Sequence, residues 1–370
     1  MKKSTYALLL SSTISLCVLL HVSSAQPVNG YQYTIEKSVV ASKGAVVSAH
    51  PLASKVGLSI LQRGGNAIDA AIATQLALAV VYPNAGNIGG GGFMVAHLQD
   101  GKQLALDYRE KAPAKAYRDM YIEPDGKANT DKSQAGHLSC GVPGTIAGLF
   151  AAHAHAKLPF ALLITPAIML AEKGFVITAA EARGLNNLQA DLKKYNTTRC
   201  AFVKDQEWKE GDTLVQTDLA NTLKRIRQKG QAGFYEGQTA DLIEAEMKRG
   251  RGLISKEDLR AYKAQFREPH RFTYKEYNIV GMPMPSSGGV LLHQMLKMVE
   301  KRSIATMGFH SPASVQLMTE VMRRAYADRA AYMGDADFFN VPVEQITSES
   351  YLEQRMKSFA PNKATSSTKI

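Results

Sequence analysis

The sequence predicts an α+β protein with helices layered on an antiparallel sheet. Two helical stretches precede two adjacent strand candidates (residues 93–98 and 103–108), and the middle of the chain is rich in further helical patterns. No strand–helix–strand alternation of the kind that builds a parallel sheet runs through the chain. The composition suits a packed fold: of 370 residues, 45% are hydrophobic and 21% charged, outside the disordered and fibrous ranges.

The elements follow in order. Ala45–Ala49 reads as a short strand. Pro51 suits the first turn of a helix, which should run to about Arg63 and stop at Gly64-Gly65. Asn66 can cap a second helix. In it Ile68, Ile72, Leu76 and Val80 recur every four residues beside Ala71 and Ala79, a buried stripe that Pro83 ends. Phe93–Leu98 and Gln103–Tyr108 read as strands joined at Asp100-Gly101. Helices are predicted over Gly144–Ala156, Thr165–Gly174, Thr217–Lys229, Gly237–Arg249 and Ser255–Lys263. Asn278–Val280 is a strand, residues 286–300 give Ser286-Ser287-Gly288-Gly289 and then a helix, and Ser311-Pro312 opens a long helix whose inner stripe should be Val315, Met318, Met322 and Ala325. No repeat or low-complexity linker divides the chain, so one domain is expected.

The start of the chain reads as an address. Lys2 and Lys3 precede a largely apolar run from Tyr6 to Leu20, and Ser23 and Ala25 fit a cleavage site after Ala25. The apolar run, about 15 residues, is shorter than the roughly 20 of a membrane span. The expectation is a signal peptide over 1–25, a periplasmic or secreted product over 26–370, and no membrane attachment after cleavage. Cleavage would also remove Cys17. An oxidising compartment permits Cys140 and Cys200 to pair, but sequence alone does not bring their Cα atoms together. Three cysteines are too few for a disulfide scaffold or a four-thiolate zinc site.

The formal net charge of +11 raises a nucleic-acid reading. The basic residues are scattered among acids, the densest run being Lys248-Arg249-Gly250-Arg251, and no aromatic-interleaved basic stripe or binding motif is present. No nucleic-acid partner is expected; the charge would favour anionic small molecules.

The glycine run Gly89-Gly90-Gly91-Gly92 is neither a dinucleotide fingerprint nor a phosphate loop. It follows a helix and enters a strand, and no Gly-Lys-Ser/Thr is present. Glycines there permit close backbone approach or unusual dihedrals, for structure alone or beside a site. Gly141-Val142-Pro143-Gly144-Thr145 reads as a turn feeding a helix. Ser286-Ser287-Gly288-Gly289 lacks the elbow of a hydrolase nucleophile. His153 and His155, two apart on a helix, cannot share a face as metal ligands, and Asp335 and Asp337 lack the calcium-loop pattern. Arg109, in Asp107-Tyr108-Arg109-Glu110, offers a planar fork for a carboxylate, or pairs with Glu110 or another acid.

Taken as a set, these segments resemble the γ-glutamyltransferases (glutathione hydrolases). The likeness lies in Ala49-His50-Pro51-Leu52-Ala53, Gly64–Ala71, Ile88–Met94, Asp107-Tyr108-Arg109-Glu110-Lys111-Ala112-Pro113, Gly141–Thr145, Gly252–Leu259, Pro285–Gly289 and Tyr326-Ala327-Asp328-Arg329, in family order from about residue 40 to 345. The resemblance implies an N-terminal-nucleophile hydrolase fold, an αββα sandwich, of which this chain would be the large-subunit part, incomplete without a small subunit. It further implies a precursor that cuts itself, exposing a threonine at the start of the small subunit. That hydroxyl attacks the γ-glutamyl amide of glutathione or related peptides, its own amine serving as base, and the glutamyl group passes to water, an amino acid or a peptide. Arg109 matches the family arginine that grips the glutamyl α-carboxylate, and Gly89–Gly92 would support the site. No cofactor or metal is implied. The family's Thr-Thr-His nucleophile motif is not in this sequence; Thr197-Thr198 precedes Arg199 instead. The chain alone is therefore expected to carry no catalytic residue and to be silent. The alternatives are a remnant that only binds γ-glutamyl ligands or a partner subunit, an acylase of the same fold acting on another amide, and a solute-binding protein.

Overall fold

Local signals set most helix ends. A computed structural model describes residues 40–196 and 198–370; the signal-peptide reading, the leader to residue 39 and Thr197 lie outside the described residues. In chain order the elements begin with α1 (Pro51–Gln62), α2 (Ala67–Val81), β1 (Phe93–His97), β2 (Gln103–Asp107), α3 (Thr130–Gln134), α4 (Thr145–His153), α5 (Phe160–Lys173), β3 (Phe175–Val176), α6 (Ala179–Asn187), α7 (Gln189–Tyr195) and β4 (Thr213–Leu214). Then come α8 (Thr217–Lys229), α9 (Ala232–Tyr235), α10 (Gly237–Arg249), α11 (Lys256–Ala261), β5 (Gln265–Arg267), β6 (His270–Tyr274), β7 (Tyr277–Gly281), α12 (Gly288–Glu300), α13 (Pro312–Tyr332), α14 (Val343–Thr347) and α15 (Glu349–Met356). Ala45–Ile370 forms one compact unit.

α1 has Pro51 in its first turn and His50 as its cap, the ring Nδ1 accepting the Leu52 N–H. At α2, Asn66 Oδ1 accepts from the Ile68 and Asp69 amides while Asp69 reaches back to the Asn66 N–H, a complete capping box. α2 is buried on nearly every side, between α1 and α5, with α8 packed on α5. Its alanines allow that close approach, and side chains such as Ile72 and Leu76 have no exposure. Full burial of each such side chain contributes about 1.5–3 kcal/mol.

The sheet that carries the site has the order β1-β2-β5, antiparallel throughout. β1 and β2 form the expected hairpin, Phe93 opposite Asp107 and His97 opposite Gln103. β5 pairs on the other side of β2, Ala105 opposite Arg267 and Asp107 opposite Gln265. Two-stranded ribbons β3-β4 and β6-β7 lie outside it.

Three local expectations differ from the structure. Ala45–Ala49 is irregular: among the described residues no strand pairs with it, and Val46 instead packs over Gly57. α5 begins at Phe160, not Thr165, and holds Pro166 inside the helix. On α13, Val315, Met318 and Met322 are exposed (49%, 48% and 41%), and of the predicted stripe Ala325 alone is buried. The inner face is Ser314, Leu317, Val321, Arg324, Ala325 and Asp328. Its buried charges are satisfied by partners, so apolar periodicity pointed to the wrong side.

Those charges form a network against α12 and α15. Arg324, with no exposure, pairs with Glu320 and donates to the Arg355 carbonyl (2.8 Å) and the Ser358 hydroxyl (2.7 Å). Asp328 accepts from Gln294 Nε2 (2.9 Å), Tyr351 Oη (2.8 Å) and Arg355 Nη2 (3.0 Å). Cys140 and Cys200 are free thiols. Among the described residues no helix is long and apolar enough to cross a membrane.

Candidate functional site

Where the ends of β1 and β2 meet the start of α12 and the end of α13, an open cleft of about 910 Å³ is lined by Gly91, Gly92, Arg109, Ser286, Ser287 and Arg329, among others. Of the sequence-predicted residues, Arg109, Gly91 and Gly92 line this cleft, whereas Gly89 and Gly90 do not. Arg109 is exposed, and among the described residues neither Glu110 nor any other acid pairs with its guanidinium. The structural ion pair weighed for it is therefore not made. An unpaired fork in a concave site can receive a carboxylate through two parallel N–H donors.

The glycines bring this arginine to the cleft by close packing, not by unusual dihedrals, since none of the four has a positive φ. A Cβ on Gly91 would stand 2.5 Å from the Tyr108 carbonyl oxygen and 2.8 Å from Arg109 Cα. One on Gly92 would meet the Tyr108 ring at 2.8 Å. Gly92 and Tyr108 also exchange both backbone hydrogen bonds (3.2 and 3.0 Å), extending the β1–β2 ladder. Gly90 does different work: its carbonyl accepts from the Gly144 and Thr145 amides (2.7 and 3.0 Å), fastening the start of α4. A Cβ on Gly89 would meet nothing within 4 Å, so close packing does not require a glycine there.

Electrostatics organise the floor. Asp107, buried at the end of β2, accepts the Arg109 N–H at 3.0 Å and the Arg267 Nε–H at 2.8 Å. Arg267 turns its other edge to Asp337, forked at 2.9 and 3.0 Å. Asp337, then Asp107, hold the Arg267 guanidinium above its ordinary pKa, and Arg267 in turn depresses Asp337. Behind the strand, the Tyr262 hydroxyl donates to the Arg109 carbonyl at 2.7 Å. Burial raises the Tyr262 phenol well above its usual range, so it remains a protonated donor.

Ser287 Oγ accepts from Arg329 Nε (3.1 Å), and Ser286 Oγ lies 3.4 Å from the Gly288 amide. Neither hydroxyl has a carboxylate or imidazole partner among the described residues, so nothing is poised to take its proton. Of the two glycines that follow, Gly289 serves packing, since a Cβ there would meet the Met282 carbonyl oxygen at 2.4 Å. His153 bonds the Leu158 carbonyl and His155 packs on Phe266, away from one another. No group of three or more His, Cys, Asp or Glu among the described residues is arranged to hold a metal.

Nothing local in the sequence marks Tyr262, Arg267 or Arg329 as a site member, and Asp337 stands out only for a calcium-loop pattern that it lacks. Tyr262 stood within a predicted helix, yet α11 ends at Ala261 and Tyr262 is extended. β5 is three residues long, too short to announce itself, though its register places Arg267 beside β2. Arg329 falls in a segment that reads alone as an ordinary helix face.

Residues 53–370 match the family model for gamma-glutamyltranspeptidase. A glutathione hydrolase proenzyme of Pseudomonas sp. (strain A14) is 41% identical over 373 residues, covering 100% of this chain and 63% of its own length. That of Escherichia coli (strain K12) is also 41% identical, over 94% of this chain and 61% of its own length. The chain thus spans about three-fifths of these curated relatives. Among solved structures, gamma-glutamyltranspeptidase from Helicobacter pylori superposes with a TM-score of 0.87 at 43% identity, covering 90% of this chain and 96% of that one. The likeness bears out the N-terminal-nucleophile hydrolase fold that the sequence resemblance implies.

Proposed function

The chain belongs to the gamma-glutamyltranspeptidase family, and from that premise we propose that it is the large-subunit part of an enzyme that cleaves and transfers γ-glutamyl groups. The chain itself supplies recognition; a small subunit supplies the threonine nucleophile. The observation that carries this reading is the unpaired Arg109 guanidinium, presented to an open cleft on a peptide held at both its N–H and its carbonyl.

In this reading Arg109 grips the α-carboxylate of the glutamyl group through its fork. The grip holds the γ-amide at a fixed reach, where the threonine hydroxyl attacks its carbonyl carbon. The nucleophile's own amine takes the hydroxyl proton and delivers it to the departing amine as the C–N bond breaks. An ester-linked glutamyl-enzyme remains. Water, an amino acid or a peptide amine then attacks that ester, releasing glutamate or a new γ-glutamyl peptide and returning the proton to threonine. Gly91 and Gly92 support the site by admitting the Arg109 strand at contact distance. Glutathione and related γ-glutamyl peptides are the substrates, as the names of the relatives suggest. The exposed face of α13, with Val315, Met318, Met322 and Tyr326 uncovered, supports a subunit partner. The features of residues 1–25 support a periplasmic or secreted product cut after Ala25.

The test compares residues 26–370 expressed alone with the gene product purified together with its partner subunit, on a γ-glutamyl anilide. The chain alone should be silent and the two-subunit enzyme active. In the active enzyme Arg109→Ala should cost about 2–5 kcal/mol in kcat/KM, the range for a truncated buried charge pair. Robust turnover by the chain alone, or an Arg109→Ala enzyme of undiminished glutamyl activity, overturns the proposal.

A further inference from the structure

We propose that Tyr262 and the Asp107–Arg267 pair are positioning residues that set affinity for the glutamyl end of the substrate by fastening the peptide of Arg109 on both sides. This rests on the reading of Arg109 as the carboxylate grip.

An exposed arginine just beyond a strand end would ordinarily have its own N–H and carbonyl open to water. Here both are taken by side chains, one from two residues back on the same segment and one from 153 positions away. The Asp107 carboxylate accepts the N–H at 3.0 Å, and the Tyr262 hydroxyl donates to the carbonyl at 2.7 Å. The next fastening follows two residues on, where Lys111 and Val142 exchange backbone bonds (3.2 and 2.7 Å).

Each clamp is itself braced. The Tyr262 ring is buried and lies parallel to Tyr235, interplanar angle 1° and centroids 6.1 Å apart. Tyr235 is pinned in turn, donating to the Pro143 carbonyl (2.9 Å) and accepting the Ala147 N–H (3.2 Å). Gly144 leaves the space in which the Tyr262 hydroxyl sits; a Cβ there would stand 2.1 Å from that oxygen. On the other side, Arg267 occupies one oxygen of Asp107 and keeps the second for the Arg109 amide. Its fork on Asp337 ties that arrangement to the segment after α13. The flexible guanidinium therefore swings from a fixed origin, and fewer conformers are lost when a carboxylate binds.

The test uses the active two-subunit enzyme. Tyr262→Phe removes one oxygen and should raise KM for a γ-glutamyl anilide about threefold to tenfold, the equivalent of one lost hydrogen bond, with kcat within about twofold. In an Arg109→Ala background the same change should add almost nothing, because the clamp acts through Arg109. On a 4-aminobutyryl anilide, which lacks the α-carboxylate, Tyr262→Phe should likewise change little. Arg267→Lys, which keeps the charge but withdraws the fork, carries the same expectations and serves if Tyr262→Phe does not fold. A lower melting temperature with unchanged KM overturns the proposal, as does an equal KM increase in both backgrounds. If Arg109→Ala itself leaves KM unchanged, the glutamyl reading fails independently of the clamp.

Discussion

Around α2 the interior is aliphatic: Ile60, Ile72, Leu76, Val80, Leu163, Ile164 and Leu223 are fully buried, and the chief buried charge among them is Asp69. Between α12, α13 and α15 the apolar core is small, and Glu320, Arg324 and Asp328 are buried within it, each at 2% exposure or less. The first region is held by volume and close packing, where each lost methylene costs about its own share. The second is held by a network in which every member depends on its partners.

Removing one partner should hurt the network most. Arg324→Ala removes the fully buried partner of Glu320, leaving that carboxylate only the partly exposed Arg323 (2.9 Å) and the Thr365 amide (3.1 Å), and should cost about 3 kcal/mol in urea unfolding of the chain. Replacing the pair together, as Glu320→Leu with Arg324→Met, should be near neutral. An additive loss in the double variant would mean the two regions are held in the same way. The network also has an acid limit. Burial alone would raise the Glu320 carboxyl, but Arg324 and the Thr365 amide and hydroxyl outweigh it and hold the group at about 2. A lowered carboxyl stabilises above its unfolded value and loses that contribution as pH falls. This loss should fall between roughly pH 4.5 and 2.

In the aliphatic region the corresponding weak point is Asp69, whose carboxylate accepts from the Asn66, Lys157 and Leu158 amides at 2.8–3.0 Å. Asp69→Ala strands those donors and should cost about 1–3 kcal/mol. The effect should read as a lower unfolding midpoint with an unchanged slope.

A change in the opposite sense is available nearby. Thr74 Oγ1 is buried and has no hydrogen-bond partner among the described residues. Thr74→Val removes that orphan hydroxyl at nearly constant volume and should stabilise by about 1 kcal/mol. A destabilised Thr74→Val would show that the hydroxyl is satisfied after all.

The contrast also explains what could be read in the sequence. α2 announced itself because every signal agreed: Asn66 at the cap, apolar residues at four-residue steps, Pro83 beyond the end. The hairpin carrying Arg109 was legible from Asp100-Gly101 and its flanks. α13 was found as a helix but turned the wrong way, since Arg324 and Asp328 read as outer-face residues and only their partners on distant elements make burial tolerable. The same limit hid the clamp. The identity of Arg109 was legible through family resemblance, whereas Tyr262, 153 positions away, is joined to it by tertiary packing that no local pattern encodes.

The smallest expected effect distinguishes the regions by pH. His270 on β6 and His293 on α12 face one another with Nε2 and Nδ1 3.1 Å apart, and the His293 ring stacks on Phe272 at 4.3 Å. Burial lowers both; for His293 the nearby His270 and Lys297 add to it, bringing the group to about 4. Both rings are therefore neutral in the folded chain and bind protons more readily when unfolded, at the ordinary value of about 6.5. Stability from this pair is complete above about pH 6.5 and declines toward pH 4, a decline that starts well before the Glu320 network begins to fail. Both residues are half-buried, so solvent screening should keep the loss under about 1 kcal/mol. His293→Gln should flatten the dependence of the urea midpoint on pH between 6.5 and 4.5 while leaving the steeper fall below pH 4.5 in place. If both declines vanish together, the histidine pair and the buried ion network are one cooperative unit, and the C-terminal region titrates as a whole.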